Sequence, residues 1–444
     1  MCGFSITKGE SFSDLSHRGT IETSKTVGDW TVVFHSLPLS SNNTGISQPI
    51  QTDYGLIVFN GEIFNYQDLS RNRIKKSSAS DVHFVRDMLL RSKGSMVKLL
   101  LESIHWDGFW SIALVKRNGK VEFFTDPLGK KQLYYSSHGI ASEIKPVLPD
   151  NFMEMQYTFR HYGTSNTPFH NVFRALPGVL YEYDIENNLA SVIRRSNEEF
   201  WNVRESFDLY QRIDKAVKQR LENRIDGVSI FLSGGLDSNI VLHHLMKHTQ
   251  DFEAISIEND ESEIVRKVAD KMGYEVKFIS DEVTHEDYLK AMYHYEHPLD
   301  YGSLMPNYLL FQQCSNSMVL TGDGADELFG GYARALKSDT LEYDLDELSY
   351  YHNVRLDRMS MAFTKEVRSP LMSNSLVRLA KRVPISLRRG KTLLRNAYFG
   401  ILPTEVLEAP KKPLRLKQDK AYNEEKAKTY FESLCLDLKK KSRK

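Results

Sequence analysis

The 444-residue chain carries 58 Lys+Arg against 58 Asp+Glu, so it has no net field to recruit nucleic acid or an anionic membrane. Its three cysteines, at 2, 314 and 435, suit neither a disulfide framework nor a metal site, which fits a reducing cytoplasm. With no basic-then-apolar leader and no apolar run of 18 residues, export and membrane spanning are not expected, and the length predicts two domains.

Up to about residue 185, short apolar runs between polar turns predict strands at Thr31–His35, Gly55–Phe59, Ser111–Val115 and Val121–Thr125. Helical spacing at Asp81–Leu90 and Met96–Leu101 completes an α+β layered half. Residues 187–202 are polar and weakly periodic and read as a linker, which divides the chain into domains 1–187 and 205–444. The second half then alternates strand and helix: Val228–Leu232, Asn239–Lys247, Glu253–Ile257, Glu261–Met272 closed by Gly273, Glu275–Ile279 and Met318–Thr321. Such alternation predicts a parallel sheet with crossover helices, and ligands bind beyond the carboxyl ends of its strands, where Ser233 and Gly322 fall. From Tyr343 onward the pattern is helical, with loops at 383–386 and 409–413, and the basic end 438–444 reads as a solvated, frayed terminus.

The most informative segment is Val228-Ser-Ile-Phe-Leu-Ser-Gly-Gly-Leu-Asp-Ser238, a strand that breaks into a glycine loop before a helix. Gly234 and Gly235 let backbone amides approach an anion, Ser233 and Ser238 add hydroxyls, and the helix points its positive end at the same spot. Asp237 would be repelled by bare phosphate, so it suggests a divalent cation between carboxylate and nucleotide. A second locus is the amino terminus. Trimming of Met1 would leave Cys2 with a thiol and a free α-amine, nucleophile and base on one residue. After a predicted strand, Asn60 offers a side-chain amide and Gly61 an unobstructed N–H, a candidate oxyanion hole, while Glu62 and Asp81 are candidates to hold an ammonium. The bland alternatives are an empty turn, an inert cysteine and solvated carboxylates.

With these motifs in hand, the chain resembles the glutamine-dependent asparagine synthetases. The resemblance runs through nearly its whole length: Met1-Cys-Gly3, His17-Arg-Gly19, Asn60-Gly-Glu-Ile-Phe-Asn65, Ser80-Asp81, Asp126-Pro-Leu-Gly129, Ala141-Ser-Glu-Ile-Lys145, Ser233–Ser238, Gly322–Tyr332 and Glu366-Val-Arg-Ser-Pro370 occur in the family's order. It implies an Ntn-hydrolase αββα sandwich acting as glutaminase, followed by an adenine nucleotide α-hydrolase-like α/β domain with a helical extension. In the first, Cys2 would attack glutamine, Asn60 and Gly61 would stabilise the oxyanion, and Glu62 and Asp81 would bind the substrate ammonium. In the second, ATP would be held by Leu232, Ser233, Gly234, Gly235, Asp237, Ser238, Ile257, Gly322 and Lys391. Mg²⁺ would be shared by Asp237 and Asp326, with Asp323 and Lys411 as catalytic groups. A carboxylate, aspartate in the leading reading, would become an acyl-adenylate that ammonia converts to an amide. The implied partners are glutamine, ATP and aspartate, with neither nucleic acid nor membrane, and a homodimer is left open.

Several positions depart from the family pattern. Leu37 and Thr125 stand where the family usually has arginines, the first of which pairs there with the glutamine α-carboxylate. Thr20-Ile21 replaces Pro-Asp, Asp323 replaces a glutamate, and Leu371-Met-Ser373 replaces Phe-Leu-Asp. A relative that makes an amide or lactam on a different carboxylate is therefore the alternative. A non-catalytic scaffold is the third reading, and it is opposed by the chemically competent residues at 2, 60, 81, 237, 323 and 326.

Overall fold

A computed structural model describes residues 2–8, 15–37, 47–74, 78–156, 162–184, 189–203, 208–222, 224–297, 301–410, 416 and 424–441. In chain order the strands are β1 (Gly3–Lys8), β2 (Ile21–Val27), β3 (Trp30–Ser36), β4 (Ile50–Thr52), β5 (Gly55–Ile63), β6 (Gly108–Lys116), β7 (Val121–Thr125), β8 (Tyr134–Ser136), β9 (Gly139–Ala141), β10 (Phe173–Arg174), β11 (Val179–Asp184), β12 (Leu189–Arg195), β13 (Val228–Phe231), β14 (Phe252–Ile257), β15 (Val276–Ile279), β16 (Met318–Leu320) and β17 (Glu366–Arg368).

The amino-terminal strands form two six-stranded antiparallel sheets, in the orders β10-β8-β9-β1-β3-β2 and β12-β11-β7-β6-β5-β4. Strand alternation assigns the faces. Phe4, Ile6, Val32 and Phe34 of the first sheet meet Leu56, Val58, Ala113, Val115 and Phe123 of the second in one buried layer. The intervening residues Ile57, Phe59 and Ile63 point the other way, onto Val85, Met88, Leu99 and Leu100 of the helices Asp81–Arg91 and Met96–Ser103. At the β8–β9 end of the first sheet, Tyr134, Ala141, Ile144 and Val147 continue into a core shared with carboxy-terminal helices, through Met292, Leu304, Val354 and Met359.

The carboxy-terminal half is the expected α/β layer structure: a five-stranded parallel sheet in the order β15-β14-β13-β16-β17. Val228, Ile230 and Leu320 face one core, with Ile213, Val217 and Ile240, while Phe231, Ile255 and Val319 face the other, with Leu310 and Phe311. Helices therefore cover both faces, and the open ends of β13 and β16 are left for a ligand.

Three expectations need correction. Residues 366–368, in a tract read as helical, form β17, because a three-residue strand ahead of Pro370 has too little periodicity to register and exists by pairing with β16. Residues 189–195, read as linker, form β12 and pair with β11, so the second sheet runs on to Arg195; a helix, Asn197–Asn202, follows. The basic end is not simply frayed, since Leu438 is buried in the helix Glu424–Lys441 and Lys439 pairs with Glu154 at 2.7 Å. Among the described residues no helix is long and apolar enough to cross a membrane, and Cys2, Cys314 and Cys435 are free thiols.

Candidate functional site

Cys2 lies at the start of β1 and Asn60 on β5, so the sandwich brings the two sheets' contributions together at one end. The Cys2 N–H donates to Asn60 Oδ1 at 3.2 Å. That contact orients the amide and leaves Asn60 Nδ2 buried with no hydrogen-bond partner among the described residues. An unsatisfied buried donor costs about 1–3 kcal/mol, so this is a place prepared to receive an acceptor. Next to it Gly61 sits at φ +152, and β6 passes so near that a Cβ would lie 2.0 Å from Phe109 O. Burial pushes the Cys2 thiol up, against hydrogen bonds from the Leu37 main chain and the Ser36 side chain.

Asp81 opens a helix capped by Ser80, whose hydroxyl accepts from His83 N at 3.2 Å. Its carboxylate accepts from Val82 N at 2.8 Å and from Ile63 N at 3.2 Å, which ties it to the end of β5 beside Glu62. Burial and the adjacent Asp81 push Glu62 well above the ordinary carboxylate range, with Arg368 opposing. Arg368 and its partner Glu366, at 2.5 Å, come from β17 of the other half. Burial alone would raise Glu366, but Arg368 brings it down to about 2. Glu62, Asp81 and Glu366 thus surround the Arg368 guanidinium, an acidic setting of the kind that an ammonium group meets favourably. The sequence motif flagged Glu366 and Arg368 without a role, because only tertiary contact brings them here. Where an arginine was expected, Leu37 packs on Phe64, Phe109 and Met361, an apolar wall.

At the second locus β13 runs into residues 232–235 and then the helix Leu236–His248. Ser233 N donates to Ser238 Oγ at 3.2 Å, Gly235 N to Ser233 Oγ at 3.2 Å, and Asn239 Nδ2 to Gly235 O at 2.8 Å, so the loop is set by its own hydroxyls and amides. Gly322, at the end of β16, abuts it; a Cβ there would lie 2.7 Å from Ser238 N. Asp237 and Asp326 occupy the first turns of their helices, and the Lys391 ammonium lies 2.5 Å from Asp237 Oδ2 and 2.6 Å from Asp326 Oδ1. The fold thus gathers Ser233, Gly234, Gly235, Asp237, Ser238, Gly322, Asp326 and Lys391. Leu232 and Ile257 bury their side chains in the two cores, so they can offer a nucleotide only main chain. Asp323 faces Arg355 at 3.7 Å, a residue that sequence reasoning missed because its helix carries no local signature. Lys411 lies outside the described residues.

Among the described residues no three His, Cys, Asp or Glu side chains cluster as a metal site. Two carboxylates already gathered about one cation nevertheless fit Mg²⁺, which takes one or two protein carboxylates and completes its shell with phosphate and water. Between the two loci lies a cavity of about 30 Å³, lined in part by Phe109, Lys131, Asp357, Val367 and Ser369. Phe109 backs Gly61, Val367 lies between Glu366 and Arg368, and Ser369 Oγ is 2.9 Å from Thr321 Oγ1, next to Gly322.

Residues 208–344 and 338–444 match the family model for asparagine synthase, and residues 7–192 match a glutamine amidotransferase domain. The chain belongs to the asparagine synthase family. Similar proteins include a probable glutamine-hydrolysing asparagine synthetase of Schizosaccharomyces pombe, 25% identical over 443 residues, covering 86% of this chain and 75% of the relative. Asparagine synthetase B of Escherichia coli is 24% identical over 453 residues, covering 88% and 76%. The Homo sapiens asparagine synthetase is 25% identical over 443 residues, covering 85% and 75%. This family member is accordingly an asparagine synthase-type ligase with an amidotransferase domain.

Proposed function

We propose that this chain amidates aspartate, using ATP to activate the carboxylate and glutamine to supply ammonia. What supports this most is a cavity lined by Phe109, which lies against Gly61 beside Asn60, and by Ser369, which bonds Thr321 ahead of the loop that carries Asp323 and Asp326. In the first step the α-amine of Cys2, free once Met1 is trimmed, takes the thiol proton as the sulfur attacks the glutamine side-chain amide, Asn60 Nδ2 donates to the tetrahedral oxyanion, and the proton passes to the nitrogen that leaves as ammonia. Glu62 and Asp81 hold the substrate ammonium. Hydrolysis of the thioester returns Cys2 and leaves glutamate, while ammonia, small enough for the cavity, passes to the second site.

There the acceptor carboxylate attacks the α-phosphorus of ATP and expels pyrophosphate. The 233–238 amides and Lys391 face the charge that develops on the leaving group, and Mg²⁺ held by Asp237 and Asp326 would neutralise phosphate oxygens. Ammonia then displaces AMP from the acyl-adenylate, with Asp323 oriented to take a proton and Arg355 beside it to meet a carboxylate. A second reading, amide or lactam formation on a different carboxylate, is favoured by Asp323 in place of a glutamate and by Leu371-Met-Ser373.

The test is ATP–pyrophosphate exchange over a panel of acids, followed by synthesis with glutamine or ammonium. Aspartate-stimulated exchange is expected, and exchange with another acid alone transfers the assignment to the second reading. Cys2→Ala should abolish glutamine-supported synthesis and spare the ammonia-supported reaction. Asp237→Asn should cripple both.

A further inference from the structure

His17-Arg-Gly19 supplies no group to either reaction, yet Arg18 is fully buried and makes bonds in three directions. Its Nε donates to Cys2 O at 3.2 Å. Nη1 donates to Glu143 Oε1 at 2.9 Å and to Asp357 Oδ2 at 3.0 Å, and Nη2 donates to Asp357 Oδ1 at 3.2 Å. Asp357 belongs to the helix Asn353–Ala362 of the carboxy-terminal half, where it also pairs with Lys131 and lines the cavity between the sites.

A guanidinium is a rigid planar fork, so gripping one edge fixes where the remaining N–H points. Asp357 grips Arg18 through both Nη atoms, and that grip aims Nε at the carbonyl of the residue that carries the thiol. Cys2 is thereby held at both main-chain ends, its N–H by Asn60 and its C=O by Arg18. We propose that Asp357 is a positioning residue for the amino-terminal nucleophile, so that the glutaminase site is completed by a carboxylate of the synthetase half. Burial would raise Asp357, but Arg18 and Lys131 hold it well below the usual carboxylate range, so it stays ionised while it grips. Two residues earlier the same helix presents Arg355 to Asp323, and the element that trims the thiol thus also touches the acceptor site. Near-attack placement is steep in distance, so a nucleophile displaced by about 1 Å loses roughly a hundredfold in rate.

The proposal rests on the glutaminase reading of Cys2, and the experiment separates the two. Glutamine hydrolysis, ammonia-supported synthesis and the pH profile of Cys2 alkylation by iodoacetamide are measured for the full chain, Asp357→Asn, Arg18→Lys and Cys2→Ala. Asp357→Asn is expected to lower kcat for glutamine hydrolysis by roughly ten- to a hundredfold with KM within about threefold, to shift the alkylation profile, and to leave ammonia-supported synthesis within about threefold of the full chain. Arg18→Lys, whose single ammonium cannot serve Asp357 and the Cys2 carbonyl together, should behave the same and carries the test if Asp357→Asn fails to fold. Inactive Cys2→Ala with unaltered hydrolysis in the folded Asp357 or Arg18 variant would overturn the proposal alone. Equal loss of hydrolysis and ammonia-supported synthesis by a folded variant overturns it too, since that is a merely structural role. Glutamine-supported synthesis by Cys2→Ala overturns the glutaminase reading and the proposal with it.

Discussion

The Lys391 ammonium stands 2.5 Å from Asp237 Oδ2, and the same nitrogen reaches Asp326, so a lysine side chain occupies the gap between two carboxylates on separate helices. Removing it leaves like charges facing each other. Lys391→Met is expected to destabilise the ligand-free protein by about 3 kcal/mol, the lower end for breaking a buried pair because Asp237 is 18% exposed. Urea unfolding checks this. Mg²⁺ without nucleotide should recover more stability in the variant than in the parent; equal responses would mean that Lys391 does not share the carboxylates with a cation.

Asn60→Ala removes the orphaned amide donor together with the acceptor of the Cys2 N–H, and leaves Cys2 held by Arg18 at its carbonyl. Loss of one oxyanion-hole donor typically costs about 10²–10³ in kcat, and that range is expected for glutamine hydrolysis. Ammonia-supported synthesis should be unaffected. A variant that retains full glutamine-supported turnover would show that the oxyanion is met elsewhere.

Gly331→Ala acts on the other site only. A Cβ at 331 would lie 1.9 Å from Asp326 Oδ1 and 2.3 Å from Lys391 Cε, distances at which the carboxylate or the lysine must move. Synthesis with either nitrogen source should fall at least tenfold, while glutamine hydrolysis continues. Nucleotide affinity, measured by calorimetry with MgATP, should fall in parallel.

Burial holds His244 down to about 4, and His294 and His297 down to about 3. The folded state keeps all three neutral below the pH at which the unfolded chain, near 6.5, takes up protons. Their contribution is therefore complete above pH 6.5 and is lost as pH falls toward 3–4. Each histidine can remove up to about 1.4 kcal/mol per pH unit in that window. Urea midpoints between pH 7 and 5 should drop for the parent and drop less for a His294→Gln, His297→Gln double variant.

Much of the scaffold was legible because local pattern and tertiary demand agree. Residues 55–63 alternate between the inter-sheet core and the helical layer, and their spacing reads as a strand. Gly273 ends its helix in the left-handed conformation that glycine tolerates, so that boundary was also visible. The strand β17 was not, since three residues contain less than two periods of any pattern, and β12, Leu-Ala-Ser-Val-Ile-Arg-Arg, was masked by its polar flanks and by apolar residues that do not alternate, with Val192 and Ile193 exposed on an edge strand.

The candidate sites divide along the same line. Cysteine next to the initiator, an Asn-Gly turn after a strand and a Ser-Gly-Gly-x-Asp-Ser loop before a helix are fixed by the order of residues, because their chemistry is made by neighbours in the chain. The charges that complete each site come from far away. Arg368 reaches Glu62 from more than three hundred positions on, Lys391 reaches Asp237 from over one hundred and fifty, and Asp357 reaches Arg18 across 339. Electrostatic energy depends on separation in space and on burial, neither of which is written locally, so the sequence determined which reactive groups exist and the packing of the two halves decided which of them face one another.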